Sequence, residues 1–187
     1  MLTTTQNEVP VIETARFRLR PITSADGDQL FANFSNPEVM KYLDLDAFTI
    51  REQADSIIAF FQERFEQGEG IRWGITLQGE DTLIGTCGFH ELNKEHSRAE
   101  VGYDLNPAYW GQGIITEVLQ ALVPVGFEQF HFQRIQAFTK PENIASQRVL
   151  EKSGFTKEGT LRGYANENGI FEDYVVFGVL KRDLVGG

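Results

Sequence analysis

The chain has 187 residues, 41% of them hydrophobic, enough for one substantial core and too few for two comfortable ones. Its formal charge of −10, from 17 Lys and Arg against 27 Asp and Glu, comes with no basic run and excludes general nucleic-acid binding, which needs a concentrated cationic face. Met1 to Pro10 lacks the basic start and apolar stretch of a signal peptide, and no apolar run approaches membrane-spanning length. The expectation is a cytoplasmic chain without membrane contact: a flexible segment over 1–11, then one domain over 12–187.

Phe17 to Ile22 alternates apolar and basic residues, as a half-buried strand does. Thr23 or Ser24 starts a helix towards Phe34, which Asn36-Pro37 interrupts. Thr49-Ile50-Arg51-Glu52 has the form of a capping box, and Ile50, Ala54, Ile57, Ile58, Phe61 and Phe65 follow at helical spacing until Gly68. Strands over Arg72 to Leu77 and Leu83 to His90, joined by the turn residues Gln78 to Asp81, predict an antiparallel hairpin, with Arg98 to Leu105 as a third neighbour. From Ile115 a helix runs to Gln129, and Pro124 should kink it by removing the amide partner of Gln120. Strands over Arg134 to Thr139, Phe155 to Thr160 and Phe171 to Val179 complete a mixed sheet, with a long loop over Arg162 to Asn168. The fold class is α/β (α+β).

Cys87 is alone, so no internal disulfide is possible, and its place in a strand pattern marks it as core filler rather than a catalytic thiol. His90, His96 and His131 show no metal-ligand spacing, so no metal is expected.

The chemistry-bearing segments are two helix starts. Tyr109-Trp110-Gly111-Gln112-Gly113-Ile114-Ile115-Thr116-Glu117 is a glycine-punctuated turn running into a helix. Gly111 and Gly113 permit positive φ and close approach of an anion, and the unpaired amides of Gly113 to Thr116 point along the positive end of the helix dipole. Alone the signal is weak: Thr116 stands where a dinucleotide fingerprint has its third glycine, no Gly-Lys-Ser or Gly-Lys-Thr follows, and an ordinary tight turn reads the same way. Asn143-Ile144-Ala145-Ser146 is the second such start, where Asn143 either caps the helix or binds an amide-bearing ligand and Ser146 offers a hydroxyl.

Both helix starts, taken with Thr14 to Pro21, Leu83 to Phe89, Ala99 to Leu105, Lys152-Ser153-Gly154-Phe155 and Asn168 to Asp173, resemble the GNAT N-acetyltransferase superfamily over residues 12 to 184. More narrowly the chain is similar to the RimJ/RimL-type ribosomal-protein alanine and serine acetyltransferases. Trp110 and Ile115 depart from the commonest superfamily residues in a way this branch tolerates, and Pro124 is less expected.

The resemblance implies a mostly antiparallel sheet with a central splayed strand pair and acetyl-CoA as the acyl donor. It implies that backbone at Leu105 and Asn106 pairs with the pantetheine, and that Trp110, Gly111, Gln112, Gly113, Ile114, Ile115 and Thr116 hold the diphosphate. Arg148 or Lys152 then stands beside the adenosine phosphates. Asn143 holds the arm, and Ser146 sits next to the sulfur as a hydrogen-bond donor rather than a nucleophile. The branch can also place a glutamate after the Phe155 strand, but none aligns without a gap in Arg162 to Glu167; among the residues themselves Glu100, directly or through water, is the candidate base, with Asp104 or Glu172 less suited. Glu100 also reads as a plain outward-facing strand carboxylate, and Tyr164 as a second hydroxyl or an aromatic lid. The implied acceptor is a protein N-terminal α-amine, with small amines (a polyamine or aminoglycoside) or a catalytically silent acyl-CoA-binding protein as alternatives. The assembly is a monomer or homodimer.

Overall fold

Alternating strands and amphipathic helices build one sheet with helices on both faces. In the computed structural model, which describes residues 8–167 and 169–184, the order is β1 (Ile12–Glu13), β2 (Phe17–Pro21), α1 (Gly27–Phe34), α2 (Pro37–Met40), α3 (Glu52–Glu66), β3 (Ile71–Leu77), β4 (Leu83–Asn93) and β5 (Arg98–Leu105). It continues with α4 (Ile114–Glu128), β6 (Arg134–Thr139), α5 (Ile144–Lys152), β7 (Thr156–Glu167), β8 (Ile170–Leu180) and α6 (Lys181–Leu184). The strands lie in the order β1-β2-β3-β4-β5-β6-β8-β7, antiparallel throughout except where β5 meets β6. Among the described residues no helix is long and apolar enough to cross a membrane.

Successive side chains of a strand face opposite sides of the sheet, so each strand feeds two cores. On one face Phe17, Leu19, Trp73, Ile75, Cys87, Phe89, Ala99 and Val101 pack with Val118, Leu119, Leu122 and Phe127 of α4 in the larger core. On the other, Ile22 and Leu83 meet Leu30 and Phe34 of α1 and Ala54 and Ile58 of α3 in a smaller one. Cys87 is fully buried, and burial pushes its thiol up to about 12, as core filler requires.

Several expectations are corrected. α3 begins at Glu52, and its first turn is closed by Gln53, whose Oε1 accepts the amides of Thr49 at 2.7 Å and Ile50 at 3.1 Å; the Thr49 to Glu52 box does not form and Ile50 is exposed. α4, as expected, continues past Pro124 to Glu128, with Leu122, Val123, Gly126 and Phe127 buried around the proline. The expected loop over Arg162 to Asn168 is instead the outer half of a hairpin, with β7 continuing to Glu167 and Gly163 N–H donating to Asp173 Oδ1 at 2.7 Å. Asn168, like residues 1–7 of the expected flexible segment, lies outside the described residues. Pro10, within that expected segment, accepts the Trp73 indole N–H at 2.6 Å.

The feature that shapes the site is where β5 and β6 part. Their ladder holds only Arg98↔Arg134, Ala99↔Ile135 and Glu100↔Gln136, so residues 101–105 and 137–139 run on without pairing each other. This is the expected splayed pair. Its β5 side is pinned from the smaller core: Asp104 accepts from Asn33 Nδ2 at 2.7 Å, from Arg72 Nη2 at 2.9 Å and from the Thr86 hydroxyl, and Arg72 Nε donates to Thr86 Oγ1 at 2.8 Å. Asp104 is buried and Arg72 nearly so. Removing one member of a buried pair leaves an uncompensated charge. Asp104→Ala should therefore lower the unfolding free energy by about 3–5 kcal/mol in chemical denaturation, as expected for a broken buried pair.

Candidate active site

The β5–β6 gap opens into a cavity of about 800 Å³, within the range of small-molecule sites. At one end lies the glycine turn. Gly111 and Gly113 have φ of +75° and +73°, and Gly113 is the N-cap of α4 with no side chain capping the helix. The first intrahelical amide bond here runs from Glu117 N–H to the Gly113 carbonyl at 3.2 Å, so the amides of Gly113, Ile114, Ile115 and Thr116 carry the donors that an α-helix cannot satisfy itself. Ile114 and Ile115 bury their side chains in the core and thereby fix the helix start. Only their backbone is left for a ligand.

The N-terminal arginine segment braces this turn from outside. Arg16 donates through Nη1 to the Gln112 carbonyl at 3.2 Å and through Nε to Glu117 Oε2 at 2.7 Å, while the Thr14 hydroxyl donates to Glu117 Oε1 at 2.7 Å. Gln112 Nε2 donates to the Ala108 carbonyl at 3.2 Å, so its side chain serves the turn. Trp110 is half-exposed, and its Nε1 donates to the Leu105 carbonyl at 2.7 Å, tying the cradle to the end of β5. Asn106 N–H donates to the Ile84 carbonyl at 2.9 Å. It therefore faces β4, and by alternation Val101, Tyr103 and Leu105 turn their N–H and C=O groups to the gap. Asn106 Oδ1 is also taken, accepting from Ala108 N–H at 3.0 Å.

At the other wall stands α5. Asn143 Oδ1 accepts from Ser146 N–H at 3.1 Å, so the capping reading holds, and its Nδ2 retains the donors. Ser146 lies half-buried against β5, its Oγ 2.7 Å from the Tyr103 hydroxyl. Burial pushes the Tyr103 phenol up to about 12. Arg148 and Lys152, one helical turn apart, line the same cavity.

Glu100 occupies the last paired position before the strands part, with its side chain on the sheet face opposite Tyr103. It accepts from Gln136 Nε2 at 3.1 Å, and burial raises its carboxyl above the ordinary carboxylate range. His90 lies across the ladder from it, Nε2 3.6 Å from Glu100 Oε2, with its side chain nearly half exposed. Asp104 is consumed by Arg72, Thr86 and Asn33, which removes it as a base. Glu172 sits on β8 opposite Ala165, outside the cavity lining.

Beyond Glu100 the cavity wall is aromatic. Phe138 of β6 stacks on Tyr164 with centroids 5.2 Å apart, and Tyr174 meets Tyr164 edge-on at 6.0 Å. Tyr42 and Asp44, from the segment after α2, face the same cavity. Thus the structure brings Glu100, Leu105, Asn143, Ser146 and the Trp110 to Thr116 turn around one space, which Asn106 borders only from the turn that follows β5. Tyr103, Phe138 and Tyr174 were not singled out from the sequence. Tyr103 was within reach, because its parity on β5 sets it on the face that α5 covers; Phe138 and Tyr174 lie on expected strands, but the Tyr164 ring that joins them lies in the segment that reads as a loop. Among the described residues no group of three or more His, Cys, Asp or Glu could hold a metal.

Residues 16–156 match the model of the acetyltransferase (GNAT) domain family. An N-acetyltransferase of Bacillus subtilis, YoaA, itself uncharacterised, is 43% identical over 172 residues, covering 92% of this chain and 97% of the relative. The ribosomal-protein-serine acetyltransferase of Escherichia coli is 33% identical over 94 residues, covering 50% of this chain and 52% of the relative. Among solved structures, a RimL ribosomal α-N-protein acetyltransferase in complex with coenzyme A superposes with a TM-score of 0.82 at 21% identity, over 91% of this chain and 98% of that one, a likeness of fold. With its sheet parted after Glu100 and Gln136 beside a helix start of free amides, the chain belongs to the GNAT acetyltransferase family and is an N-acetyltransferase.

Proposed function

We propose that the chain transfers the acetyl group of acetyl-CoA directly to the α-amine of a protein N-terminus, using one acyltransferase domain over residues 12–187 in the cytoplasm. The observation that carries the reading is the continuity of a single cavity from the Gly113 amides, through the β5–β6 gap, to Ser146 and Glu100. The coenzyme A complex of the RimL structure and the ribosomal-protein substrate in the name of the Escherichia coli relative point to the same donor and acceptor class.

In this reading the diphosphate rests on the amides of Gly113 to Thr116, where no Cβ intervenes and the helix dipole adds to direct hydrogen bonds. The pantetheine lies along the gap-facing edge of β5, as strand addition at an open ladder. Leu105 N–H and the Tyr103 backbone are the partners there; Asn106 contributes by shaping the turn rather than by its amide. Asn143 Nδ2 faces the arm from α5. Arg148 and Lys152 supply the local positive charge that an acidic chain needs beside the adenosine phosphates.

The thioester then lies between Ser146 on one face of the sheet and Glu100 on the other. The amine nitrogen bonds to the carbonyl carbon as the carbon–sulfur bond breaks, and the electron pair stays on sulfur. Ser146 donates a hydrogen bond to the developing thiolate, being too weak an acid to protonate a thiol of ordinary pKa about 8.5. Glu100, made more basic by burial, takes the amine proton directly or through water. An α-amine with pKa near 7.7–8.0 is already about 10–20% neutral at pH 7, against about 0.04% for lysine, so an N-terminal acceptor asks little of the base. Proximity and orientation supply most of the rate. The aromatic wall of Phe138, Tyr164 and Tyr174 flanks the acceptor, and the acidic surface steers a cationic tail towards it.

A thiol-release assay with acetyl-CoA against peptides bearing free N-termini, polyamines and aminoglycosides tests the whole reading: turnover is expected on peptides, and tight acetyl-CoA binding without turnover on any amine would replace it with a silent acyl-CoA-binding role. Ser146→Ala should lower kcat about tenfold or more with little change in coenzyme A affinity; equal losses in both would remove its assignment. Glu100→Gln should lower kcat/KM and leave an acid limb set by the amine alone, because the wild-type limb also contains protonation of the raised Glu100 carboxyl as pH falls. Gly113→Val forces a β-branched residue into the left-handed region, where φ is +73°, and so disturbs the helix start whose amides hold the diphosphate; calorimetry should show coenzyme A affinity weakened by at least about tenfold.

A further inference from the structure

We propose that Tyr103 is a positioning residue for the Ser146 hydroxyl, fixing the direction of its hydrogen towards the cavity; this rests on the acyl-transfer reading above. Tyr103 is on the face of β5 that α5 covers, lines the cavity beside Ser146, and places its hydroxyl 2.7 Å from Ser146 Oγ. Its other acceptor within reach is the Ser146 carbonyl at 3.4 Å.

In a pair of hydroxyls one must donate. The 2.7 Å separation alone fits either direction; a phenol is the stronger acid and the poorer acceptor, an alkyl alcohol the reverse, and this assigns the bond from Tyr103 O–H to Ser146 Oγ. That choice has a consequence for Ser146. Its single hydrogen cannot point at Tyr103. A helical serine without such a partner returns its hydrogen to a carbonyl one turn back or rotates among staggered positions. With Oγ occupied by Tyr103, the lone-pair side is fixed and the O–H is left for the cavity, where the sulfur of the donor arrives.

The pairing is also independent of pH through the working range. Burial pushes the phenol up to about 12, so Tyr103 stays protonated and remains a donor wherever the enzyme acts. The groups that face it from the packed elements are Ser146 of α5 and the apolar side chains of the larger core, and among the described residues no carboxylate is a hydrogen-bond partner. No proton leaves Tyr103 during transfer: when the carbon–sulfur bond breaks, the electron pair on sulfur is met by the Ser146 O–H, and the amine proton departs through Glu100. Tyr103 sharpens the aim of a donor that Ser146 supplies.

A double-mutant cycle tests this on the whole protein, with wild type, Tyr103→Phe, Ser146→Ala and the double variant. Tyr103→Phe is expected to lower kcat about tenfold, with KM for acetyl-CoA and calorimetric affinity for coenzyme A within about twofold of wild type. In the Ser146→Ala background the same change is expected to alter kcat by less than about twofold, because the hydroxyl it serves is gone. Phe keeps the ring that packs, and a damaged fold would show as an equal loss in both backgrounds. Such an equal loss, or an unchanged kcat for Tyr103→Phe, overturns the inference while leaving Ser146 in its role. Wild-type turnover by Ser146→Ala alone overturns it too, and identifies the proposed role of Ser146 as the fault.

Discussion

Everything at the site follows from a ladder that stops early. β5 and β6 exchange partners over three residue pairs and then separate, although both strands continue. An unpaired strand edge inside a sheet leaves backbone donors and acceptors without protein partners, which is costly unless something else meets them. The fold keeps the edges apart by holding each strand from its far side. β5 is fastened to β4 along its length and pinned at Asp104 by Arg72, Thr86 and Asn33; β6 is laddered to β8 over all six of its residues. At the mouth, the Trp110 indole takes the Leu105 carbonyl and the Gly113 turn takes over where the strand ends. A buried charge network stabilises little by itself, but removing a member is expensive, which suits a device that must keep one strand in one place.

The chain carries a net charge of −10, and acetyl-CoA, the donor of the proposed reading, is polyanionic. Far-field attraction is therefore the wrong sign, and only short-range terms can hold the donor. In that reading the Gly113 helix start, as the cradle, is built accordingly. Its amides are dipoles fixed by the helix start, and Glu117 in the first turn, which would repel a phosphate, is covered by Arg16, Thr14 and the Arg16 backbone. The N-terminal arginine segment, a hundred residues away in sequence, thus acts at the turn through one carboxylate.

Much of this was legible in the sequence because it is local. The α3 register, the β3–β4 hairpin and the Gly113 helix start each rest on residues within one turn or one strand of each other, and each is where the pattern sets it. What misled is equally physical. β7 beyond Leu161 is mostly polar and exposed, with only Ala165 and Glu167 half-buried, and a strand that buries so little has no clear period to read. Gln53, one residue past the expected box, caps α3 because its amide oxygen reaches two donors at once. Asp104 looks like a free carboxylate until Arg72, 32 residues earlier, and Asn33, 71 earlier, are folded against it. Long-range pairing is what a single sequence conceals.

The parity of β5 separates the chemistry into two half-sites. Glu100, Gly102 and Asp104 project to the face of α1 and α3, while Val101, Tyr103 and Leu105 project to the face of α4 and α5. In the proposed reading the donor enters from the α4–α5 face and the acceptor from the other, so base and thiolate partner never compete for the same space. A one-residue shift in β5 would exchange these faces and put a carboxylate beside the sulfur. The Asp104 network forbids that shift, since its three partners exist only on the α1–α3 side. In that reading the register of one strand fixes the direction in which the acetyl group travels.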